Sequence, residues 1–369
     1  MSTPTCMLSG EPITEANNSR AHIIPSALGG RLKPFDLLTE DANGELNDKV
    51  DLPLIRAFQP LMVWIGGSRD SGKTPPVRMK DENGRSYEVN FNEPLRLSKP
   101  EYKTEKTEEG VRIEITARTH KELRTLLGRV KKDFPDFDVE EAIQRHQLVS
   151  KPLEGFLHTQ LQIGPNVTFP AAFAAASIFA AYHKQSPHHS FAEYVHAIDA
   201  EADRSTIPMP PETFFWHTAR PWSVADAKAA HVIGFVGNAS RQQAICCVEY
   251  FGVISVATLL PYAKTTDFTA LYAVDVISGR EVSGNIDAAL FADTPWQATH
   301  ALGDEALYAD VQDRIAGFME VARKRELSHA IGDVFDETFG PADGKALTND
   351  DISALSENLA VLFARIVGR

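Results

Sequence analysis

The chain has 369 residues, a length that favours two or three domains over a single core. Its 43% hydrophobic and 24% charged residues are typical of a soluble folded protein and exclude a disordered, collagen-like or membrane-embedded chain. The net charge of −13 argues against binding of nucleic acid over the whole surface, because phosphate contacts need local positive charge.

The N-terminus and the cysteines predict a cytoplasmic protein. The first residues, MSTPTCMLSG, lack the basic and apolar regions of a secretory signal. The most apolar stretch, from Phe169 to Tyr182, is too short to span a bilayer and is predicted to be a buried helix, so no membrane partner is expected. The adjacent Cys246 and Cys247 would point to opposite faces of a strand, which leaves no disulfide framework.

Changes in pattern divide the chain into three consecutive regions, 1–65, 66–205 and 206–369. The first is rich in turn formers and ends in a helical pattern from Lys49 to Phe58. The second is predicted to hold a hairpin turning at Asn83-Gly84, a strand VRIEITA, a helix capped by Thr119, and helices at about 138–148, 169–184 and 190–202. The third is predicted to hold strands HVIGFVG, QQAICCVEYFGVISVATLLP and ALYAVDVIS and then helices at about 303–328 and 348–367. The predicted class is α+β.

The helix that follows Thr119 has a basic face. Between Val111 and Lys132 seven basic residues stand against two acidic ones. An apolar stripe that includes Leu127 predicts one buried face. The other face carries Lys121, Arg124, Arg129 and Lys132. It is interpreted either as an ordinary solvated surface or as a contact with the DNA backbone.

The most informative segment runs from Cys6 to Phe58. At its centre His22-Ile23-Ile24-Pro25 is followed by Leu28-Gly29-Gly30, and Asn43 stands near the start of a predicted helix. Hydrolysis of a phosphodiester needs a base for water and a divalent cation for the phosphate charge. If the segment folds as a hairpin, His22 and Asn43 face one pocket, with the imidazole as base and the amide oxygen on Mg²⁺ or Mn²⁺.

This segment resembles the HNH endonuclease family of bacteria, within the ββα-metal superfamily. That family has a zinc knuckle, a histidine in a phrase such as E-H-I-I-P-x-x-L-G-G, a second knuckle carrying C-N, and a helix. The resemblance covers about one-seventh of the chain. It implies an N-terminal ββα-metal module that hydrolyses DNA. Asn47, one helical turn beyond Asn43, and Asp36 are then candidates to assist the metal.

The segment departs from the family pattern at the knuckles and before the histidine. Only Cys6 remains as a thiolate, because Ser9, Thr39 and Ala42 stand at the other three positions, so no structural zinc is expected. Ala21 replaces the acidic residue that usually precedes the histidine. The alternative is therefore a non-catalytic nucleic-acid-binding or interaction protein with a decayed HNH fold, in which Asn43 is a helix N-cap.

Two further motifs are interpreted as structural. Gly67 to Thr74 matches the pattern G-x-x-x-x-G-K-[ST], but Pro75-Pro76 follow where a P-loop needs a helix. The histidines at 183, 188, 189 and 196 are interpreted as parts of a loop between helices rather than as metal ligands.

The C-terminal region is expected to select the target or to regulate the cut, through a ligand or a partner protein, and self-association is an open alternative. Bacterial anti-phage defence is a context suggested only by analogy with nuclease modules that are switched by a larger sensor.

Overall fold

A computed structural model of the chain describes residues 3–107, 110–145, 155–217, 220–225, 227, 229–289, 305–340 and 348–367. Two compact units are formed: unit 1 takes Met1–Thr74 and Leu161–Arg369, and unit 2 takes Pro75–Gln160. Helices and antiparallel sheets occur together, so the predicted α+β class is confirmed. Residues 66–205, which were predicted to form one middle region, are divided between the two units.

The first part of unit 1 is irregular up to Thr39. Two stretches of this segment, residues 19–23 and 32–38, form its two arms. The arms run antiparallel, because Ile23 N donates to Leu32 O and Ser19 N donates to Leu38 O. Within the described residues neither arm is a regular strand, and a short 3-10 helix, Ser26–Leu28, lies between them. The ββα arrangement of this segment therefore stays a prediction.

A helix in three parts follows this segment. Helix α1 (Glu40–Leu46) passes through a π-helical turn (Asn47–Asp51) into helix α2 (Leu52–Ile65). The Thr39 hydroxyl accepts the Ala42 N–H and caps α1. The helix starts at Glu40, slightly ahead of the start predicted near Asn43, and it continues through the helical pattern predicted from Lys49 to Phe58. The charged first turn of α1 hides the apolar periodicity that begins at Ala42 and Leu46. Gly66, with a left-handed φ of 59°, ends α2.

Within its described residues, unit 2 contains two small antiparallel sheets and two helices. Its strands are β1 (Val77–Lys80), β2 (Ser86–Val89), β3 (Arg96–Leu97), β4 (Glu101–Thr107) and β5 (Gly110–Thr116), and its helices are α3 (His120–Asp133) and α4 (Val139–Arg145). Strand β1 pairs with β2, β2 with β3, and β4 with β5. The hairpin turn predicted at Asn83-Gly84 is confirmed, because Lys80 pairs with Ser86 and Gly84 has a φ of 77°.

In the described residues, the rest of unit 1 starts with two helices, continues with a run of strands and ends with two further helices. The helices are α5 (Pro165–Tyr182), α6 (Phe191–Ala197), α7 (Glu305–Phe339) and α8 (Asn349–Val367). The strands are β6 (Thr213–Phe215), β7 (Trp222–Val224), β8 (Ala230–Asn238), β9 (Gln243–Tyr250), β10 (Ile254–Pro261), β11 (Phe268–Asp275), β12 (Arg280–Glu281) and β13 (Gly284–Ile286). Six of them form one antiparallel sheet in the order β12-β11-β8-β9-β10-β6.

Both faces of this sheet are covered. Helix α5 is buried continuously from Val167 to Ala180 and packs on β9 and β10, which explains why it is apolar on all sides. Cys246 faces that large core, whereas Cys247 belongs to a smaller cluster on the opposite face with Trp222. The two thiols therefore point to opposite faces, as predicted. Among the described residues no helix is long and apolar enough to cross a membrane.

Candidate functional site

The loop that follows His22 is shaped by two glycines. Gly29 ends the 3-10 helix with a left-handed φ of 94°, a conformation that other residues adopt at a cost. A Cβ added at Gly30 would lie 1.8 Å from the carbonyl oxygen of Ile24. The Leu-Gly-Gly sequence is thus required by the backbone itself, since a side chain at the second glycine would displace the strand-like arm that carries His22.

Two side chains of the central sheet hold this loop. The fully buried His231 on β8 donates from Nε2 to the Leu28 carbonyl at 2.7 Å, and its Nδ1 accepts the Phe251 N–H at 3.2 Å. The Tyr272 hydroxyl on β11 accepts the Leu32 N–H at 3.0 Å. Because both loop ends are tied to the sheet, the position of His22 is set by the core of unit 1.

The four knuckle positions lie close together around Cys6. Its sulfur accepts the N–H groups of Ser9 and Thr39, each at 3.4 Å, and lies 3.8 Å from the Thr39 hydroxyl. Ala42 is bonded to that hydroxyl on the first turn of α1. Burial raises the pKa of the Cys6 thiol, but the hydrogen bonds from Ser9 and Thr39 outweigh burial and leave the pKa lowered. Hydrogen bonds to Cys6 thus connect the turn that contains Ser9 with the segment that contains Thr39, where a bound metal would make the connection in a zinc knuckle.

His22 lies in a cluster of charged side chains, which we call the His22 cluster: His22, Arg31, Lys33, Ser68 and Asp70. The imidazole Nε2 is 3.1 Å from Asp70 Oδ2. The same carboxylate accepts from Lys33 Nζ at 2.7 Å and from Arg31 Nη1 at 3.1 Å. Arg31 Nη2 also donates to the Ser68 hydroxyl at 2.8 Å. The side chain of His22 is 21% exposed, so solvent reaches the cluster.

The surroundings of His22 favour its neutral form. Partial burial lowers the pKa of its imidazole most, and the charges of Lys33 and Arg31 lower it further, against the raising effect of Asp70. A carboxylate can only accept, so the contact with Asp70 places the proton on Nε2 and leaves the lone pair on Nδ1. Among the described residues Nδ1 has no hydrogen-bond partner. A neutral imidazole with a free lone pair can act as a general base.

The candidate metal ligands lie on the helix and not in the His22 cluster. Asn43 is half-buried in α1, and Asn47 opens the π-helical turn, where its Nδ2 donates to Asp48 Oδ1 at 3.1 Å. Within the described part of the chain no hydrogen bond joins His22 to either asparagine. Thr39, not Asn43, is the N-cap of α1. Asp36 is engaged with Asn18, whose Nδ2 donates to its carboxylate at 2.6 Å.

The side chains around these asparagines form no metal cluster of the usual kind. No group of three His, Cys, Asp or Glu residues that could hold a metal occurs in the described residues. Magnesium in proteins is often held by one or two protein oxygens, with water and phosphate completing the octahedron. The amide oxygens of Asn43 and Asn47 fit that class of ligand, and they are the groups that would hold the ion.

The basic helix of unit 2 has the predicted two faces. Leu127 and Val130 are buried, whereas Lys121, Arg124, Arg129 and Lys132 are exposed. Arg124 Nη1 pairs with Glu140 at 3.4 Å, and the Arg129 guanidinium lies 5.0 Å from the Tyr102 ring centroid. Both lysines extend into solvent, so this helix presents free positive charge to its surroundings.

The motifs interpreted as structural are placed as follows. No helix follows Lys73-Thr74, and strand β1 begins three residues later, so the segment lacks the helix N-terminus of a P-loop. Among the described residues these histidines do not form one cluster: His188 and His189 stack with ring centroids 4.4 Å apart, whereas His196 Nδ1 contacts Glu45 at 2.9 Å and His183 packs edge-on against Phe179. His188 Nδ1 also contacts the Ser190 hydroxyl at 2.9 Å.

A cavity of about 310 Å³ lies under helix α7 in unit 1. Its polar wall is the buried Glu249, whose Oε2 accepts from Arg220 Nε at 2.7 Å and from Arg314 Nη1 at 3.1 Å. Its apolar wall includes Trp222, Phe251 and Phe318. The size suits a small molecule. A small regulatory ligand would fit in this cavity.

Sequence reasoning did not find Arg31, Lys33 and Asp70. The first two alternate around Leu32 in extended backbone, a spacing that places both side chains on one face and offered a local signal. Asp70 offered none, because it lies 48 residues from His22 in a segment whose pattern pointed to nucleotide binding. A scan against protein-family models gives no match to this chain, and comparisons with curated proteins and with solved structures give none.

Proposed function

We propose that residues 1–65 form a metal-dependent HNH-type nuclease module that hydrolyses phosphodiester bonds in DNA. His22 is the general base, and Asn43, with help from Asn47, holds Mg²⁺ or Mn²⁺. The ion supplies charge neutralisation at the phosphate and at the leaving oxygen when it is bound. No structural zinc takes part in this proposal.

One observation carries the proposal: the knuckle positions Cys6, Ser9 and Thr39 meet in space at the two ends of the segment that holds His22. Cys6 and Thr39 are 33 residues apart in sequence, and the resemblance to the HNH family implies their proximity. Chance similarity of a short phrase around one histidine would give no reason for Cys6 to contact Thr39. The contact therefore supports the resemblance over the whole segment.

The chain's own groups divide the work as follows. The Nδ1 lone pair of His22 takes a proton from water, while its Nε2–H stays bonded to an acceptor in the His22 cluster. The lowered pKa keeps the imidazole neutral at pH 7. The sheet holds the imidazole in place through His231 and Leu28. Lys121, Arg124, Arg129 and Lys132 supply contacts to the DNA backbone from unit 2.

The alternative is a non-catalytic module that binds nucleic acid or a protein. The observation that favours it is the position of Ala21, which is 5% exposed and belongs to the main apolar core. The resemblance implies an acidic metal ligand there, and a carboxylate at this buried position would be costly. Ala21→Asp is therefore expected to destabilise the fold rather than to improve metal binding.

The test is cleavage of plasmid DNA in the presence of Mg²⁺ or Mn²⁺. We expect the wild-type chain to cut and His22→Ala to be inactive, with both proteins unfolding at similar temperatures. DNA binding without cleavage in the wild type would favour the alternative. The C-terminal region, which contains the cavity under α7, is expected to target or control the cut, and self-association stays an open alternative. Analogy alone suggests a role in bacterial defence against phage.

A further inference from the structure

The carboxylate of Asp70 is surrounded by donors as a phosphate would be. Its Oδ2 is 3.1 Å from His22 Nε2 and 2.7 Å from Lys33 Nζ, and its Oδ1 is 3.1 Å from Arg31 Nη1. Two cations and one imidazole therefore bind a single anion. Guanidinium and ammonium groups on one oxyanion are also the usual recognition of phosphate.

The cationic half of this site is firmly held. Arg31 and Lys33 flank Leu32, whose N–H is bonded to Tyr272, and Gly30 leaves no space for a shift towards Ile24. The guanidinium of Arg31 packs against Gly279, where an added Cβ would contact it. The Arg31 guanidinium is thus held by contacts other than Asp70, and the backbone places Lys33 two residues further along the chain.

The anionic group of the site is the Asp70 carboxylate, which lies on the segment that follows α2. Ser68 anchors this segment, because its N–H is bonded to the Val276 carbonyl and its hydroxyl accepts from Arg31. Asp70 lies two residues further on and is 28% exposed. Its charge compensates one of the two cations, so removal of the carboxylate would leave two positive charges beside His22.

If Asp70 served only to orient His22, its contacts with Arg31 and Lys33 would have no explanation. A carboxylate that served only the imidazole would have no need of Arg31 and Lys33, and these two cations weaken its effect on the imidazole by neutralising it. The geometry fits an anion site with an internal occupant better. Nε2–H of His22 is then the third donor of the site, and Nδ1 stays free.

We propose that Arg31, Lys33 and His22 form a binding site for a phosphate group, and that Asp70 occupies this site as an internal competitor. The identification of the ligand as a DNA phosphodiester rests on the proposed function. The anion site itself rests on the contacts of the His22 cluster. Displacement of Asp70 would let a phosphate of the DNA backbone bind at Nε2–H, on the opposite side of the imidazole from the base atom Nδ1.

The first arm of the test measures DNA binding without cleavage. A short fluorescent duplex is titrated with the full chain in EDTA over a series of salt concentrations. Asp70→Asn should bind severalfold more tightly than the wild type, and its plot of log K against log salt should steepen by about 0.9 for one added phosphate contact. Glu15→Gln is the matched control, because it removes the same charge from an exposed side chain with no contact to the His22 cluster.

The second arm uses inorganic phosphate and thermal unfolding, which need no nuclease activity. Phosphate should raise the unfolding temperature of Asp70→Asn more than that of the wild type, because ligand binding to the native state stabilises it. Adding Lys33→Met to Asp70→Asn should abolish the difference. Lys33 is 39% exposed, so this change leaves the core intact. If Asp70→Asn folds poorly, Lys33→Met in the wild-type background tests the site, because it should reduce stabilisation by phosphate.

The outcomes separate the two proposals. The anion site is overturned if Asp70→Asn behaves like Glu15→Gln on DNA and phosphate stabilises neither protein. Stabilisation by phosphate with unchanged DNA affinity supports the anion site and contradicts DNA as its ligand. Tighter DNA binding by Asp70→Asn, lost again with Lys33→Met, supports the anion site and DNA as its ligand, whereas only the cleavage assay tests the nuclease proposal.

Discussion

The Nε2 atom of His22 lies 3.1 Å from Oδ2 of Asp70, although 48 residues separate the two in the chain. The contact joins the loop after the first knuckle to the segment that follows α2. It determines which nitrogen of His22 carries the proton and opposes the effects of burial, Lys33 and Arg31 on the pKa of the imidazole. Replacement of Asp70 should therefore change how the activity depends on pH.

The acid limb of the pH–rate profile is expected to move to lower pH in Asp70→Asn. The base must be neutral, so the rate falls as the pH drops through the pKa of His22. Asp70 raises this pKa, and its neutralisation lowers the pKa further. Cleavage rates of both proteins from acidic to neutral pH at subsaturating DNA, which report the pKa values of the free protein, measure the shift. A limb that moves towards higher pH would show that another group controls it.

Stability should depend on pH through His231. Burial lowers the pKa of this histidine from 6.5 to about 4. The unfolded chain therefore takes up a proton below pH 6.5 that the folded chain excludes. At 1.36 kcal/mol per pKa unit, about 3 kcal/mol of stability is present above pH 6.5 and is lost as the pH falls towards 4.

Chemical denaturation of the wild type and His231→Asn at pH 7 and at mildly acidic pH checks this expectation. His231→Asn should be less stable at pH 7, since the bond to Leu28 is altered, but its stability should fall less on acidification. Equal losses in both proteins would mean that other groups carry the pH dependence.

Much of the fold follows from local patterns. The hairpin at Gly84, the capped helix after Thr119 and the apolar helix from Val167 to Ala180 each have a strong local signal, and each forms as expected. The helix after Thr39 was predicted to start near Asn43, a few residues after its start at Glu40, because its first turn is acidic and only Ala42 and Leu46 are buried. The π-helical turn at Asn47 has no recognised sequence signal.

The site was only partly predictable. His22 and the knuckle positions were identified from one contiguous segment, and the structure brings Cys6 and Thr39 together. Asp70 was not identified, because its contact with His22 depends on tertiary packing of two loops on one sheet. Local patterns contain no information on such pairs, and the residues around Asp70 also matched a nucleotide-binding motif.

Completing the knuckles should create a zinc site. The combined substitutions Ser9→Cys, Thr39→Cys and Ala42→Cys would give four thiolates around the position of Cys6, the donor set of a structural zinc. We expect one zinc per chain by elemental analysis and a higher unfolding temperature, both reversed by Cys6→Ser. The wild type should hold no stoichiometric zinc. Failure of the fourfold cysteine protein to bind zinc would contradict the knuckle interpretation.

Asn43 and Thr39 should have separate effects. Asn43→Ala is expected to raise the Mg²⁺ concentration needed for cleavage, with partial rescue at high Mg²⁺ or Mn²⁺, because a lost ligand weakens metal affinity first. Thr39→Ala removes the helix cap and should cost about 1 kcal/mol of stability. Metal titrations of the cleavage rate and denaturation curves distinguish the two. An unchanged metal requirement in Asn43→Ala would remove this residue from the metal site.

The most direct test of the account is the rate of DNA cleavage by His22→Ala under single-turnover conditions with saturating Mg²⁺ or Mn²⁺. His189→Ala is the matched control, because this histidine is exposed and stacks only on His188. The account predicts cleavage by the wild type and by His189→Ala, and none by His22→Ala despite normal folding, at protein concentrations that saturate the DNA in all three cases. Equal cleavage by the wild type and His22→Ala would contradict the account.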